Sequence, residues 1–135
     1  MIRRNQNSIM NKHFNIPATR STPEIIADWD AGLVSMAGDS YPENSFEFFT
    51  LTIEWIKTYL AEAQRPLHLE LRLIYLNTSS VKAMMDIFDM LEEAHARGRA
   101  VSVDWLYDPQ NERVEMLAEE FREDCSFRFD ITAEA

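Results

Sequence analysis

The chain has 135 residues, of which 46% are hydrophobic and 11% aromatic, a length and composition that suit one domain with a sizeable core. Residues 1–20 carry four basic and no acidic side chains, so the rest of the chain has a net charge of −14 within a total of −10. Such an acidic body disfavours nucleic acid and anionic membranes as partners. The single cysteine excludes an internal disulfide, and because neither a secretory signal nor an apolar stretch of about 18 residues is found, we expect a cytoplasmic protein.

The first part of the chain predicts a tail followed by a hairpin. Residues 1–20 are rich in Asn, Ser and Arg and show no sustained periodicity, so we expect a mobile tail there and a folded domain over residues 21–135. Residues 24–29 and 33–38 are short apolar segments separated by a turn that contains glycine. This pattern predicts two strands joined as a β-hairpin.

A helix and a central strand follow the hairpin. Asn44 and Glu47 have the spacing of a capping box. Apolar side chains recur behind them at three- and four-residue steps, which predicts a helix over residues 45–63. Residues 67–76 alternate leucines with polar side chains at first and are apolar on both faces later, a pattern that favours a strand in the centre of a sheet.

The second half of the chain alternates helices and strands. A helical pattern over about residues 80–97 ends at Gly98, which is typical of the residue after a helix, and residues 100–107 predict a strand. A helix over about residues 111–124 and a strand over residues 127–131 follow. The predicted fold class is therefore α/β: a single domain in the order ββαβαβαβ, with a mixed sheet, an N-terminal hairpin and three main helices.

Two strand ends are expected to meet at one edge of this sheet. A right-handed parallel crossover brings the carboxyl ends of the two longer strands to the same edge, where open α/β sheets bind their ligands. Asn77 and Thr78 follow the first of these strands, and Tyr107 ends the second. Asp108, which precedes a proline, is the predicted N-cap of the last helix.

The chain lacks the motifs of common cofactor and metal sites. Its three glycines lie outside any phosphate-binding loop and its three histidines are not spaced as metal ligands, so no cofactor or metal is expected. Cys125 lies among acidic residues, which disfavour a thiolate. Asp86, Asp89 and Glu93 share one helix face and could form an acid/base or metal cluster, but Lys82 on the same stripe favours a solvated charged face.

Four small polar residues, Asn-Thr-Ser-Ser at positions 77–80, stand between the central strand and the long helix. Serine or threonine at such a junction is usually an N-cap, yet a cap needs only one of them. A phosphoryl group here would meet free N–H groups and the positive end of the helix dipole, with Lys82 one turn away. The cluster is therefore compatible with a phosphorylation switch, and the residues alone leave the N-cap open among the three hydroxyls.

Four motifs stand in order between about residues 16 and 131. They read Ser-Thr-Pro-Glu-Ile at 21–25, Gly-Asp-Ser-Tyr-Pro-Glu-Asn at 38–44, Tyr-Leu-Asn-Thr-Ser-Ser-Val-Lys at 75–82, and Trp-Leu-Tyr-Asp at 105–108 followed by Asn-Glu at 111–112. In this order and together, they resemble the SiaC-like regulatory phosphoproteins of bacterial partner-switching systems.

The resemblance implies a non-enzymatic protein with an α/β fold similar to that of anti-anti-sigma-factor (STAS) domains. It implies that the threonine of the Asn-Thr-Ser-Ser motif, here Thr78, is the phosphoacceptor. A SiaB-like serine/threonine kinase would phosphorylate Thr78, and a SiaA-like PP2C-type phosphatase would reverse this. The unphosphorylated form would bind and activate a SiaD-like diguanylate cyclase, which raises cyclic di-GMP and promotes aggregation or biofilm formation.

The resemblance also divides the polar cluster into roles. We expect Asn77 to be a turn residue. Ser79 or Ser80 would be the N-cap, which leaves Thr78 free. The expected surroundings of the phosphosite are Asn77, Ser79, Ser80, Lys82, Tyr107 and Asp108.

The helix after the cluster is apolar over more than half of its circumference, which one sheet cannot cover. Either a neighbouring helix buries the remainder, or a flexible methionine strip is kept for a partner helix. The candidate partner-binding residues are Met84, Met85, Ile87 and Met90.

Two other functions remain open. The protein could be an anti-anti-sigma-like antagonist that sequesters a kinase or an anti-sigma factor, and co-purification would distinguish a cyclase partner from a sigma-factor regulator. A small enzyme would use the strand ends at Asn77, Thr78, Tyr107 and Asp108, but it would need an unrecognised cofactor or a substrate-assisted reaction.

Overall fold

The structure, a computed structural model, describes residues 12–134, which form one six-stranded sheet and three helices. In chain order the elements are β1 (His13–Ile16), β2 (Glu24–Asp28), β3 (Leu33–Ser40), α1 (Ser45–Glu62), β4 (Leu67–Leu76), α2 (Thr78–Ala96), β5 (Val101–Tyr107), α3 (Glu112–Glu123) and β6 (Arg128–Ala133). Over this range, no helix combines the length and the apolarity that a membrane span needs.

The strands lie side by side in chain order, from β1 at one edge to β6 at the other. β1, β2 and β3 pair antiparallel, whereas β3, β4, β5 and β6 are parallel. Each parallel pair is joined through one helix, and right-handed crossovers that advance in the same direction place α1, α2 and α3 on one face of the sheet. The predicted α/β class, with a mixed sheet and the β2–β3 hairpin, is confirmed.

The core lies between the sheet and this layer of helices. Because alternate residues of a strand point to the same face, β4 sends a row of buried leucines toward the helices: Leu67, Leu69, Leu71 and Leu73. Burying each of them contributes roughly 1.5–3 kcal/mol of hydrophobic free energy. The intervening residues His68, Glu70 and Arg72 are half-buried on the opposite face. The central position predicted for this strand is confirmed.

The prediction of a mobile tail over residues 1–20 is wrong for residues 13–16. Residues 13–16 form β1 and pair with β2 over four residues, whereas residues 1–11 lie outside the described residues. The backbone carbonyl of Lys12 accepts a hydrogen bond from Trp55 Nε1 at 3.1 Å, which fastens the start of β1 to α1. Four residues are too few for a recognisable alternation, so pairing with β2 decides this strand rather than local periodicity. The folded domain therefore includes β1.

The last helix has nearly the predicted bounds but a different cap. Asp108 is not its N-cap, because the carboxylate of Asp108 accepts the N–H of Gln110 within the preceding turn at 2.9 Å. Asn111 caps α3 by accepting the N–H of Val114 at 3.1 Å. The Asn111 side chain also donates to the carbonyl of Ile74 at 3.1 Å. The cap thereby joins the start of α3 to the end of β4.

Candidate functional site

The N-terminus of α2 is capped by Asn77. Its Oδ1 accepts the backbone N–H of Ser80 at 2.9 Å, and its backbone carbonyl accepts that of Val81 at 2.9 Å. Asparagine is favoured as an N-cap because its short side chain reaches the free N–H groups of the first helical turn. The helix therefore begins at Thr78 rather than at Ser80. The predicted cap, Ser79 or Ser80, is wrong, and Asn77 is more than a turn residue.

A buried network of serine hydroxyls lies behind this cap. Ser40, Ser45 and Ser80 are buried. The Oγ of Ser80 is 2.8 Å from that of Ser40 and 3.0 Å from that of Ser45. Ser45 Oγ is also 2.7 Å from Ser79 Oγ. Because a buried hydroxyl without a partner costs about 1–3 kcal/mol, these bonds hold the end of β3, the start of α1 and the start of α2 in one arrangement.

Thr78 is the exposed first residue of α2. The neighbouring hydroxyls of Ser79 and Ser80 are both hydrogen-bonded to Ser45. Within residues 12–134, by contrast, no hydrogen bond engages the hydroxyl of Thr78. This hydroxyl therefore stands at the surface beside the positive end of the α2 dipole, where added negative charge is favourable for the helix.

Lys82 lies one turn further along α2. Its Nζ is 3.2 Å from a carboxylate oxygen of Asp86, and its side chain lines a groove of about 120 Å³ together with Phe46 and Ser79. An exposed pair of this spacing is worth only about 0.2–0.5 kcal/mol. Lys82 can therefore turn toward an anion at the start of the helix at little cost.

Tyr107 and Asp108 lie at the same edge of the sheet, as predicted, but in a separate depression. They line a cavity of about 300 Å³ together with Ile74 and Asn111. A hydrogen bond to the Glu115 carboxylate is the main reason why the pKa of the Tyr107 phenol is raised. These two residues are thus one strand away from the hydroxyl cluster, whereas the other expected neighbours of the phosphosite are gathered around it.

Exposed apolar side chains stand around the start of α2. Tyr41 and Tyr75, beside the ends of β3 and β4, make an edge-to-face contact with ring centroids 6.0 Å apart. Phe46, in the first turn of α1, is 74% exposed, and Ile74 is exposed beside Tyr75. We call these four side chains, Tyr41, Phe46, Ile74 and Tyr75, the apolar collar. Exposed apolar side chains on segments that meet at one end of the fold are a candidate protein interaction site.

Most of the apolar surface of α2 is buried within the fold. Met84 and Ile87 are fully buried, so their prediction as partner-binding residues is wrong, because a buried side chain offers no surface. Met90 is half-buried in a groove between α1 and α2. Met85 is 46% exposed in a groove between α2 and α3. Most of the strip is thus buried within the fold, and Met85 is its main exposed part.

Comparisons with known proteins identify the family. The family model described as SiaC family regulatory phosphoprotein matches residues 16–134. The chain belongs to the SiaC family. An uncharacterized protein of Pseudomonas aeruginosa (strain UCBPP-PA14) is 66% identical to this SiaC-family chain over 119 residues, which are 88% of this chain and 94% of that protein.

Two solved structures are similar to this SiaC-family chain. Apo-SiaC from Pseudomonas aeruginosa has a TM-score of 0.87 and 61% sequence identity, with 91% of this chain and 100% of that chain covered. The second is the diguanylate cyclase SiaD in complex with its activator SiaC from Pseudomonas aeruginosa, in which the similar chain has a TM-score of 0.87 and 64% identity. There, 90% of this chain and 99% of that chain are covered.

Membership of the SiaC family confirms the resemblance that the four motifs indicate. The family consists of regulatory phosphoproteins, so the chain is a regulator and not an enzyme, as predicted. Three features of the site escape prediction from sequence: the capping role of Asn77, the buried hydroxyls of Ser40 and Ser45, and the apolar collar. The available signal was the motif at residues 38–44, which the structure places directly against the start of α2.

Proposed function

We propose that this protein is a non-enzymatic phospho-switch adaptor whose unphosphorylated form binds and activates a diguanylate cyclase, and thereby raises cyclic di-GMP synthesis. A SiaB-like kinase phosphorylates Thr78 and blocks the binding, and a SiaA-like PP2C-type phosphatase restores it. The observation that carries the proposal is the position of Thr78 at the exposed start of α2, where no hydrogen bond from residues 12–134 engages its hydroxyl. The choice of partner is supported by the similar SiaC of Pseudomonas aeruginosa, which is the activator in a complex with the diguanylate cyclase SiaD.

The fold can accept a phosphoryl group on Thr78 without rearrangement. Asn77 caps the N–H of Ser80, so the phosphate does not have to replace the cap. It adds about −1.5 to −2 charges at neutral pH, next to the positive end of the helix dipole and one turn from Lys82. The phosphorylated protein therefore stays folded, and the switch acts through its surface.

The apolar collar is the surface on which this charge would act. Tyr41 and Tyr75 contact each other and belong to the two segments next to the Asn77 cap, whose Nδ2 donates to the carbonyl of Pro42 at 3.2 Å. Phe46 lines the same groove as Lys82. A partner that docks on these side chains comes close to Thr78 at the start of α2, and it would have to remove water from a phosphate attached there. Burying a phosphate without a dedicated cationic partner is strongly unfavourable. Phosphorylation thus blocks the same contact that the apolar groups favour.

The test compares wild type with Thr78→Ala, Thr78→Asp and Thr78→Asn for binding to a SiaD-like cyclase and for cyclic di-GMP formation. We expect the alanine variant to bind and activate even after incubation with the kinase and ATP. The aspartate variant should bind at least about tenfold more weakly, which corresponds to about 1.4 kcal/mol. The asparagine variant matches aspartate in shape and lacks its charge, so it should bind like wild type. Equal binding by all four proteins would refute a switch at Thr78.

A further inference from the structure

Two exposed hydroxyls stand side by side at the start of α2, on Thr78 and Ser79, and they differ in their hydrogen bonds. Ser79 Oγ donates to Asn77 Oδ1 at 3.2 Å. It also lies 2.7 Å from the Oγ of buried Ser45. Over the part of the chain that the structure describes, the Thr78 hydroxyl has neither kind of contact. Sequence alone presents these two hydroxyls as equivalent acceptors, and the structure does not.

We propose that Ser45 is the specificity-determining residue that withholds Ser79 from phosphorylation, so that the switch has the single acceptor Thr78. This inference rests on the proposed function, because it concerns the same kinase reaction. Ser45 acts through Ser79 and therefore is a positioning residue rather than a catalytic one.

The reaction makes clear what a restrained hydroxyl lacks. A new bond forms between the acceptor oxygen and the γ-phosphorus of ATP, while the bond from that phosphorus to the β–γ bridging oxygen breaks and ADP leaves with the electron pair. The hydroxyl proton passes to a base of the kinase. The acceptor must therefore direct a lone pair at the phosphorus and its hydrogen at the base at the same time.

The hydroxyl of Ser79 is already hydrogen-bonded to Asn77 and Ser45. A serine hydroxyl has one hydrogen and two lone pairs, and Asn77 takes the hydrogen while the Ser45 contact takes a lone pair or competes for the same hydrogen. Turning toward ATP would break both contacts. Ser45 cannot follow the movement, because its own Oγ is tied to buried Ser80 at 3.0 Å, which is in turn bonded to Ser40 at 2.8 Å.

The test uses Thr78→Ala as the background, so that phosphate on Ser79 can be seen alone. Each protein is incubated with purified SiaB-like kinase, ATP and Mg²⁺, and the phosphate is located by peptide mass spectrometry. We expect wild type to carry phosphate only on Thr78. Adding Ser45→Ala to the background should raise the rate at Ser79 by about fivefold or more, the factor that losing one hydrogen bond gives. Ser45→Cys, which leaves no cavity and has a weaker hydrogen-bonding group, should give a smaller rise and provides a second variant if alanine lowers the stability.

The matched control is Ser40→Ala in the same background. It removes a buried hydroxyl from the same network, but Ser40 is bonded to Ser80 and not to Ser79, so the rate at Ser79 should stay at the background value. An equal rise in the Ser40 and Ser45 variants would show general loosening and overturn the role of Ser45. Phosphate on Thr78 of wild type with no rise at Ser79 in either Ser45 variant would overturn this inference alone. No phosphate on Thr78 of wild type would overturn the proposed function, and this inference with it.

Discussion

Replacing Asn77 by alanine should separate the cap from the switch. The substitution removes the bond from the Ser80 N–H to Oδ1 at 2.9 Å and the bond from Nδ2 to the Pro42 carbonyl at 3.2 Å. Oδ1 also accepts from the hydroxyls of Ser79 and Ser45 at 3.2 and 3.5 Å, but these two hydroxyls keep each other as partners at 2.7 Å. Loss of an N-cap costs about 1 kcal/mol, and loss of one further hydrogen bond costs about 1 kcal/mol. We therefore expect the free energy of unfolding to fall by about 2 kcal/mol. For a chain of this length, the melting temperature should drop by roughly 6–10 °C.

Two matched variants test whether the lost hydrogen bonds of Asn77 explain the change in the free energy of unfolding. Thr78→Ala removes a hydroxyl that has no hydrogen bond within residues 12–134, so its free energy of unfolding should stay within about 0.5 kcal/mol of wild type. Asn77→Asp keeps the acceptor for the Ser80 N–H and adds a charge that the helix dipole favours. It loses only the donor to Pro42, and it should therefore cost less than Asn77→Ala.

The measurement is urea unfolding, followed by far-UV circular dichroism and by the fluorescence of the buried tryptophans Trp29, Trp55 and Trp105, with the free energy extrapolated to water. If Thr78→Ala cost as much as Asn77→Ala, Thr78 would be part of the cap and could not change its modification state without affecting the helix. If Asn77→Ala were as stable as wild type, the hydrogen bonds assigned to Asn77 would not stabilise the fold. Either result would refute the division of roles at this junction.

Three further predictions test the surface, the backbone and the thiol. Phe46→Ala should weaken cyclase binding at least about tenfold in pull-down titrations. The control Met116→Ala removes a side chain that is 61% exposed on α3 and should leave binding unchanged. Equal effects of the two substitutions would contradict a role for the apolar collar. Gly32 and Gly98 both have positive φ, but only at Gly32 would a Cβ overlap other atoms, so in thermal melts Gly98→Ala should cost about 1–2 kcal/mol and Gly32→Ala clearly more. Burial, and to a lesser extent acidic neighbours, raises the pKa of Cys125 to about 11, so at pH 8 the native thiol should react with iodoacetamide roughly a hundredfold more slowly than an unfolded control, with the rate rising as the pH approaches 11; equal rates at pH 8 would contradict the burial.

Periodicity was sufficient for most elements because the apolar faces are long. The leucines of β4 and the apolar steps of α1 repeat over ten or more residues, so their local pattern agrees with the tertiary packing. β1 has no such long apolar face. Its four residues become a strand through pairing with β2 and through the hydrogen bond between Trp55 and Lys12. The start of α3 was mispredicted for another reason. Asp108 and Asn111 are both good N-cap residues, and the residue that caps the helix, Asn111, also makes a tertiary hydrogen bond to Ile74 on β4.

Local periodicity also could not predict which residues of the methionine strip are buried. The helical wheel correctly indicates that one sheet cannot cover α2, but it does not say which neighbour covers the rest. Met84 and Ile87 are buried, whereas Met85 is left in the groove beside α3. Which face of a helix meets another helix depends on how the crossovers place the layers, and this follows from the whole topology rather than from the helix itself.

By itself, the sequence determined the α/β class, the order of β2 to β6 and, through four motifs, membership of a regulatory phosphoprotein family. These properties depend on local periodicity and on short contiguous segments. Only the tertiary structure decided what each polar residue at the start of α2 does. Asn77 is the cap, and Ser79 and Ser80 are hydrogen-bonded to other serines. The hydroxyl of Thr78 lies at the surface without a hydrogen bond from the described part of the chain, residues 12–134. The physical reason is distance along the chain: Ser80 meets Ser40 and Ser45, which are 40 and 35 residues away. Contacts of that kind exist only once β3, α1 and α2 have come together.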